Sequence, residues 1–311
     1  MRVAVIGSGV AGLACARRLA AAGVSPVVLD KGREVGGRLA TRVSRSGWQF
    51  DHGAQFVTAQ EPEFAHWLAS LGADGEAAQW MDGDATVRWV GMPDMRAIAR
   101  YLARGLDVRQ GYEVTSIQPD GSGWRVFSGA TGEQFDRVVV TVPAPQMAGL
   151  LGADHPLVLE SAEVRLAPCL TLMAAVDGEG PCPFTARSDA TASLAWIARD
   201  NSKPGRPDGP GGAWVAHATP EWSARHLEAQ PQEIVEYLLP ELLDQVEARP
   251  DQVLYAAGHR WRFAKVTAPL GRAFLRSPCA TLYAGGDWCI GPRVESAWSS
   301  GRAMAADILD R

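Results

Sequence analysis

The chain reads as an α/β protein, a parallel sheet wound by helices with an α+β half inserted into it. Three observations predict this. The first thirty residues alternate strand, glycine turn, helix and strand. An apolar run near the C-terminus ends in Gly285-Gly286-Asp287 and leads into a second helical stretch. The middle third between them is strand-rich and carries one long amphipathic segment. Alternation of strand and helix is the pattern of a parallel sheet, and a change of texture between its ends marks an insertion.

Taken in order, residues 3–6 form a short apolar strand that ends at Gly7, the first member of a G-x-G-x-x-G series completed by Gly9 and Gly12. Alanine-rich helical sequence follows over 13–22, Gly23 is placed to stop it, and a strand over 26–29 delivers Asp30. Gly7 permits the tight strand-to-helix turn, Gly9 lets backbone approach a pyrophosphate, and Gly12 lets the helix sit close to the strand. The helix start offers unpaired N–H groups and positive partial charge to phosphates. Asp30, with 17 residues between it and Gly12, is spaced to accept hydrogen bonds from an adenosine ribose. This is a Rossmann-type dinucleotide site.

The first motif does not choose between nicotinamide and flavin dinucleotides; two further segments do. The run 33–42, REVGGRLATR, pairs Gly36 and Gly37 with Arg38 soon after the ribose acid, and it resembles the second fingerprint of flavin amine oxidases. Near the C-terminus, TLYAGG over 281–286 continues into Asp287-Trp288 and a helix opening near Glu295. This resembles the flavin-family signature in which the aspartate binds the ribityl hydroxyls and the helix start faces the diphosphate or flavin ring. Its dipole favours the negative charge of a reduced flavin. Ala297, Gly301 and Ala305 form a small-residue stripe at i, i+4, i+8, suited to close packing on the sheet. The three motifs in this order, which resemble those of flavin amine oxidases, make the expected cofactor FAD, and that resemblance implies that it is held non-covalently.

At 311 residues the chain exceeds one usual domain. With 47% hydrophobic and 21% charged residues it has ample apolar surface for a core. A net charge of −5 without a basic run argues against nucleic acid. No segment approaches the roughly 18 uninterrupted apolar residues of a membrane span, and the N-terminus reads as a strand, not as a signal peptide. Five cysteines (Cys15, Cys169, Cys182, Cys279, Cys289) show neither C-x-x-C nor zinc spacing, so no metal site is expected. A reducing, cytoplasmic setting is expected.

Along the rest of the chain, 61–72 carries Phe64, Trp67, Leu68 and Leu71 at helical core spacing, and Asp94 is placed to cap a helix running to Ala103. Strands are expected over 108–117, 123–127 and 135–142, the first two separated by Pro119-Asp120-Gly121. In the middle third, 165–176, 192–197 and 214–218 read as strands, and 233–246 as an amphipathic helix. The Pro/Gly-rich run 200–212 reads as a long loop. The expected division is an FAD-binding domain from 1–58, 93–146 and 277–311, with a substrate domain from 59–92 and 147–276.

Several phrases in order, FDHGAQF (50–56), RWVGMPDM (88–95), WIARDNSKPGR (196–206), WVAHATPEWS (214–223), HRWRFA (259–264) and GGDWCIGPRVESAWSSG (285–301), resemble bacterial renalase proteins, and the likeness spans essentially the whole chain. The resemblance implies a two-domain fold like p-hydroxybenzoate hydroxylase. It also implies oxidation of the 2-dihydro and 6-dihydro isomers of NAD(P)H to NAD(P)+, with molecular oxygen reduced to hydrogen peroxide. By motif position it carries over Gly7, Gly9, Gly12, Asp30, Arg38, Asp287, Val294 and Glu295 as cofactor contacts. Val10, Ala11, Lys31, Gly37, Val114 and Arg293 complete the expected set.

Hydride transfer from a dihydropyridine requires positioning more than acid–base chemistry. No Ser/His/Asp or Cys/His constellation appears, and six scattered histidines give no H-x-x-x-H pair. For the substrate pocket two readings stand at each position. Trp288 either stacks a planar ring or packs a domain interface, while His52 and Gln55 either line the isoalloxazine edge or hold their loop. Arg260, like Arg262 on the same strand face, either receives a substrate phosphate or belongs to a salt-bridged surface. Trp196, Trp214 and His217 project toward the cofactor or fill core. Lys203 and Arg206 lie near a pocket mouth or are merely solvated, and Cys289 follows the ribityl acid. Two rivals remain: an oxidase of true amines, for which Lys265 is the one suitable flavin-side lysine, and a flavoprotein that binds without turnover.

Overall fold

The strand Arg2–Ile6 is apolar and buried beyond its first residue because both faces of its sheet are covered. The computed structural model, which describes residues 1–311 except 84, 85, 179–183, 190, 208 and 210, places it inside a six-stranded sheet. The order is Leu275–Arg276, Leu282–Ala284, Arg137–Val140, Arg2–Ile6, Ser25–Asp30, Asp107–Gln110. All neighbours are parallel except the first pair, with Val5 opposite Val28 on one side and Val139 on the other. Alternation sorts the side chains into two cores. Val3, Val5, Val28, Val139 and Tyr283 join the cluster under the helices Val10–Ala21 and Val294–Leu309, whereas Ala4, Ile6, Val27, Leu29 and Val140 face a cluster with Ile117, Trp124, Val126 and Phe135. That second layer is a three-stranded antiparallel sheet of Ser116–Asp120, Gly123–Ser128 and Thr131–Phe135.

The α/β architecture expected from the sequence is the one observed, with two local differences. The strand expected over 108–117 is two strands, because Gly111 at φ +67° turns the chain out of the parallel sheet before it enters the antiparallel one. The strand expected over 135–142 likewise divides into Thr131–Phe135 and Arg137–Val140, one in each sheet.

The middle of the chain forms a five-stranded antiparallel sheet, ordered Ala186–Ser188, Leu194–Arg199, Gly212–Ala218, Arg165–Val176, Val253–Ala268. Leu170, Leu172, Ala174, Trp214 and Ala216 on one face pack against Ile234, Leu238 and Leu242 of the helix Pro231–Gln245. That helix begins with a reciprocal cap between Gln230 and Glu233 and has Pro231 in its first turn, where a missing N–H costs nothing. The other face, carrying Cys169, Thr171, His217 and Trp261, is left to look toward the dinucleotide half. The helix Pro62–Ala73 and the hairpin Ala77–Trp80/Arg88–Gly91 bury Phe64, Leu68, Leu71, Trp80 and Val90 in the same cluster as the N-terminal helix. The segment 59–92 thus shares the core of the dinucleotide half. Cys182, and Asp208 and Pro210 of the 200–212 loop, lie outside the described residues; the other four cysteines are free thiols.

Candidate functional site

A cleft of about 510 Å³ runs between the two halves. One wall is Gly9, Val10, Ala11, Gly36, Arg38, Gly286, Asp287, Arg293, Val294 and Ala297; the other comes from the five-stranded sheet, with Cys169, Trp196, His217, Trp261 and Lys265. The first wall is the three sequence motifs brought together. A Cβ at Gly12 would lie 2.0 Å from the Gly7 carbonyl oxygen, so only glycine lets the helix start this close to its strand. A Cβ at Gly9 would meet nothing within 4 Å, which leaves open space above the turn. Gly36 donates its N–H to the Ser8 carbonyl at 2.9 Å and lays the second glycine segment alongside the first.

Arg38 and Asp287 are 249 residues apart yet form a bidentate pair at 2.7 and 2.6 Å, and Arg38 also donates to the Ala264 carbonyl at 2.9 Å. The guanidinium therefore ties the C-terminal motif, the second glycine segment and the inserted sheet to one point. Gly301 brings the last helix onto the first, since a Cβ there would sit 2.1 Å from the Ala11 carbonyl oxygen. As a result two helix N-termini, at Val10 and at Val294, open on the same cleft. Ser296, in the first turn of the second, holds a buried hydroxyl with no partner.

Other expected cofactor residues lie around this wall, not on it. Asp30 accepts from Ser8 N at 2.5 Å, Ser8 Oγ at 2.8 Å and Gly32 N at 2.6 Å, bracing the glycine turn. Gly7 and Gly12 shape that turn from below, and Gly37 packs beside Gly9. Lys31 is exposed, and Val114 is buried in the cluster beneath the sheet. The Glu295 carboxylate faces away from the cleft and accepts from the N–H groups of Gln60 and Glu61 at 2.9 and 2.7 Å, fixing the entry to the helix Pro62–Ala73.

Three substrate-side expectations are corrected. Trp288 does not stack over the cleft: the short helical turn Asp287–Cys289 directs its ring beneath the sheet, where it is 1% exposed and donates to the Val142 carbonyl at 3.1 Å. Arg260 faces away from the cleft with Arg262, and both pair with Glu228, the surface reading of that strand face. Trp214 fills the core against the long helix.

His52 and Gln55 sit behind the cleft wall, which Gly53 and Ala54 between them form. Trp261 stacks on His52 at 5.3 Å and donates to its carbonyl at 2.9 Å, and His259 meets His52 edge-on at 4.7 Å. Burial, with neighbouring His259 and Arg42, lowers His52 to about 3, and burial lowers His217 and His259 to about 4. All three are neutral imidazoles at pH 7.

Lys203 and Arg206 overturn the expectation of solvated loop cations. Lys203 donates to Asp200 at 2.5 Å and Gln55 at 3.2 Å and lies 3.5 Å from Asp51; Arg206 holds Asp51 through two nitrogens at 2.5 and 3.1 Å. All four charged side chains are at most 1% exposed. This buried quartet clamps the 200–206 loop onto the 51–55 loop. Sequence reading missed it because Asp51 and Arg206 are 155 residues apart, and the phrases that hold them, FDHGAQF and WIARDNSKPGR, carry no local sign that the two loops meet.

Among the described residues no His/Cys/Asp/Glu group fits a metal, and no helix is long and apolar enough to cross a membrane. The two helix N-termini and the open space at Gly9, with Arg38 and Asp287 on the same wall, fit the diphosphate and polar linker of a flavin dinucleotide.

Comparison with known proteins agrees. Residues 5–71 match the NAD(P)-binding Rossmann-like domain, and residues 84–309 match the flavin containing amine oxidoreductase family. The chain is 27% identical over 296 residues to renalase of Mus musculus, covering 86% of each protein. A stretch of 71 residues is 42% identical to protoporphyrinogen oxidase 2, chloroplastic/mitochondrial, of Arabidopsis thaliana, covering 23% of this chain and 14% of that protein. Among solved structures, a putative protoporphyrinogen oxidase from Exiguobacterium sp. 255-15 superposes with a TM-score of 0.80 at 13% identity, covering 100% of this chain and 99% of that one. Putrescine oxidase bound to putrescine superposes with a TM-score of 0.72 at 14% identity, with both chains covered fully. At such identities the structures speak for the fold alone. With its glycine cradles, its Arg38–Asp287 clasp and a family match over most of its length, the chain belongs to the flavin containing amine oxidoreductases, as a renalase-like member whose cofactor is FAD.

Proposed function

We propose that this flavoprotein oxidises misreduced nicotinamide dinucleotides, the 2-dihydro and 6-dihydro isomers of NAD(P)H. Each turnover takes one dihydronicotinamide, one oxygen molecule and one proton to one NAD(P)+ and one hydrogen peroxide. The observation that carries the reading is the sheet wall of the cleft. It presents the flat rings of Trp196 and Trp261 and a neutral His217 opposite the cofactor motifs. Likeness to renalase across 86% of both chains supports the same substrate class.

FAD, when bound, supplies the hydride acceptor and the route of electrons to oxygen. The chain's own part is positioning. Trp261, fixed by its hydrogen bond to the His52 carbonyl and its stack on His52, is a rigid surface against which a planar ring lies. No base is required, because aromatisation of the ring drives hydride loss, and the depressed histidines leave no imidazolium to repel the cationic product. Lys265 has no ion pair among the described residues, and with Arg38 and Arg293 it gives the cleft a cationic bias toward dinucleotide phosphates.

We assign FAD binding to the glycine segments, Arg38, Asp287 and the Val294 helix start, and the cytoplasmic setting and a division into FAD and substrate domains, with 59–92 moved to the FAD side whose core it shares, belong to the same proposal. Asp30→Ala removes the bonds that brace the first glycine turn, and Asp287→Ala removes a charge-assisted pair; each bond of that kind contributes about 1.5–3 kcal/mol. Both variants are expected to lose flavin during purification, and unchanged flavin-to-protein ratios in both would overturn the assignment.

The presence of Lys265 in the cleft favours a second reading, oxidation of a true amine. Anaerobic mixing separates the two. Dihydronicotinamide isomers are expected to bleach the oxidised flavin within the mixing experiment while primary amines do not, and admission of air should restore the colour with peroxide formed. Bleaching by amines alone would reverse the order, and bleaching by neither would leave a binding protein.

A further inference from the structure

Two polar atoms in the substrate wall have nothing to bond. The Nε1 of Trp196 and the Nε2 of His217 are both buried and unpartnered, and both residues line the cleft. They are also direct cross-strand partners in the antiparallel pair Leu194–Arg199/Gly212–Ala218, so their side chains leave the sheet side by side on one face. Buried polar groups left without partners cost stability, and where they sit together in a cleft a ligand is what satisfies them.

The chemistry of the pair is specific. An indole Nε1 is a donor only. The His217 ring is neutral at pH 7, and one of its nitrogens is engaged with the backbone of His52. A hydrogen bond that favours the protonated ring is one the ring donates, so the remaining nitrogen, Nε2, is the bare acceptor. Donor and acceptor thus stand next to each other, the pattern that complements the C=O and NH2 of a primary carboxamide. A carboxylate ligand would find only one donor and a lone pair facing its second oxygen; an ammonium would find one acceptor and a donor facing its charge. The ring of Trp196 is itself held, packed against Phe56 at 5.5 Å with the Arg88 guanidinium 5.2 Å from its centroid, so the ring is fixed before a ligand arrives.

We propose that Trp196 and His217 form a carboxamide-reading pair: Trp196 Nε1–H donates to the amide oxygen and His217 Nε2 accepts from the amide NH2. The pair is a specificity element. For the nature of the ring carrying the amide it rests on the dihydronicotinamide reading, since a nicotinamide ring holds such a group at its 3-position and simple amines do not.

The test measures binding, not turnover. FAD-loaded protein is titrated with 1-methylnicotinamide and with 1-methyl-3-acetylpyridinium, which replaces the amide NH2 by CH3, and Kd is read from the perturbation of the flavin spectrum. Wild type is expected to favour the amide by about tenfold or more, equivalent to about 1.4 kcal/mol. His217→Leu should bring the ratio near one, and His217→Gln, which keeps a neutral acceptor, should restore most of it. Trp196→Phe should weaken both ligands by a similar factor and leave the ratio unchanged, since both carry the carbonyl. Flavin content confirms that each variant is folded, and if His217→Leu does not retain FAD, Trp196→Phe and the wild-type ratio still decide. A wild-type ratio near one overturns the proposal, as does failure of both probes to bind, or a ratio that survives His217→Leu. The first of these is the outcome expected if a water molecule bridges the two atoms. An amide preference in a protein whose flavin dihydronicotinamides do not bleach keeps the pair and removes the substrate reading. Bleaching without the preference does the reverse.

Discussion

Asp51→Ala is expected to cost roughly 3–5 kcal/mol of folding stability, the range found when one partner is taken from a buried ion pair. Asp51 accepts from Arg206 Nη2 at 2.5 Å, from Thr41 Oγ1 at 2.6 Å and from the Met95 N–H at 3.0 Å, while its own N–H donates to Asp200 at 2.9 Å. Burial pushes its carboxyl up, but Lys203 and Arg206, with the Thr41 and Met95 bonds, hold it below the usual carboxylate value. Asp200 goes the other way, raised by burial and by the Asp51 charge. Two carboxylates thus balance two cations with no water access. Removing Asp51 leaves Lys203 and Arg206 facing the single Asp200 carboxylate, with one buried positive charge in excess. Because most domains have only about 5–15 kcal/mol in hand, this one change takes a large share. Urea unfolding of the FAD-loaded protein gives the number. The same variant should bind FAD less tightly, since Gly53 and Ala54 reach the cleft on the loop that Asp51 anchors. A loss below about 1 kcal/mol would mean that the four groups behave as a solvated surface cluster.

What the sequence made legible follows from how local each feature is. The glycine turn, the acid at the end of the second strand and the Gly-Gly-Asp near the C-terminus are backbone devices set by a few adjacent residues, so they and the fold they imply are readable in one dimension. Arg38 and Asp287 were each readable as cofactor residues, yet their pairing joins positions 249 apart and has no local sign. The ionic quartet is harder still. Lys203 and Arg206 stand in a Pro/Gly-rich run that resembles solvated loop, and only the strand ends that bring 51 and 200 together reveal that the loop is buried. Trp288 shows the opposite failure: adjacency to Asp287 suggested a role in the cleft, but a single helical turn is enough to send neighbouring side chains to opposite sides of a sheet. On the long strand Val253–Ala268 a period of two fixed by geometry put Arg260 and Arg262 on one face, but which face met the cleft was not legible, and the structure gives them the surface and Trp261 the cleft.

Stability is expected to fall steeply as pH drops from about 6.5 toward 4, and the histidines around the cleft are the reason. In the unfolded chain each imidazole takes a proton near 6.5; in the folded chain burial lowers His52 to about 3 and His217 and His259 to about 4. Around them stand Arg42, which lowers His52 and His259 further, and Lys203, which lowers His217. Between the two values the unfolded state binds protons that the native state refuses, so stability rises with pH there and is level, as far as these groups go, above about 6.5. For His217 alone, a change from 6.5 to about 4 corresponds to roughly 3 kcal/mol at pH 4. His259, the more open ring, contributes less. Asp200, raised by burial and by Asp51, works with the opposite sign above 3.8, so the contribution of one histidine is best read as a difference between proteins. His217→Gln should therefore be less sensitive to acid than wild type, the two urea midpoints converging or crossing between pH 7 and 4. Asp51, held below the usual carboxylate value, keeps its charge while the histidines titrate, so acid loosens the histidine wall of the cleft before it dissolves the ionic clamp behind it. Parallel pH profiles for wild type and His217→Gln would show that the ring is already solvated in the native state.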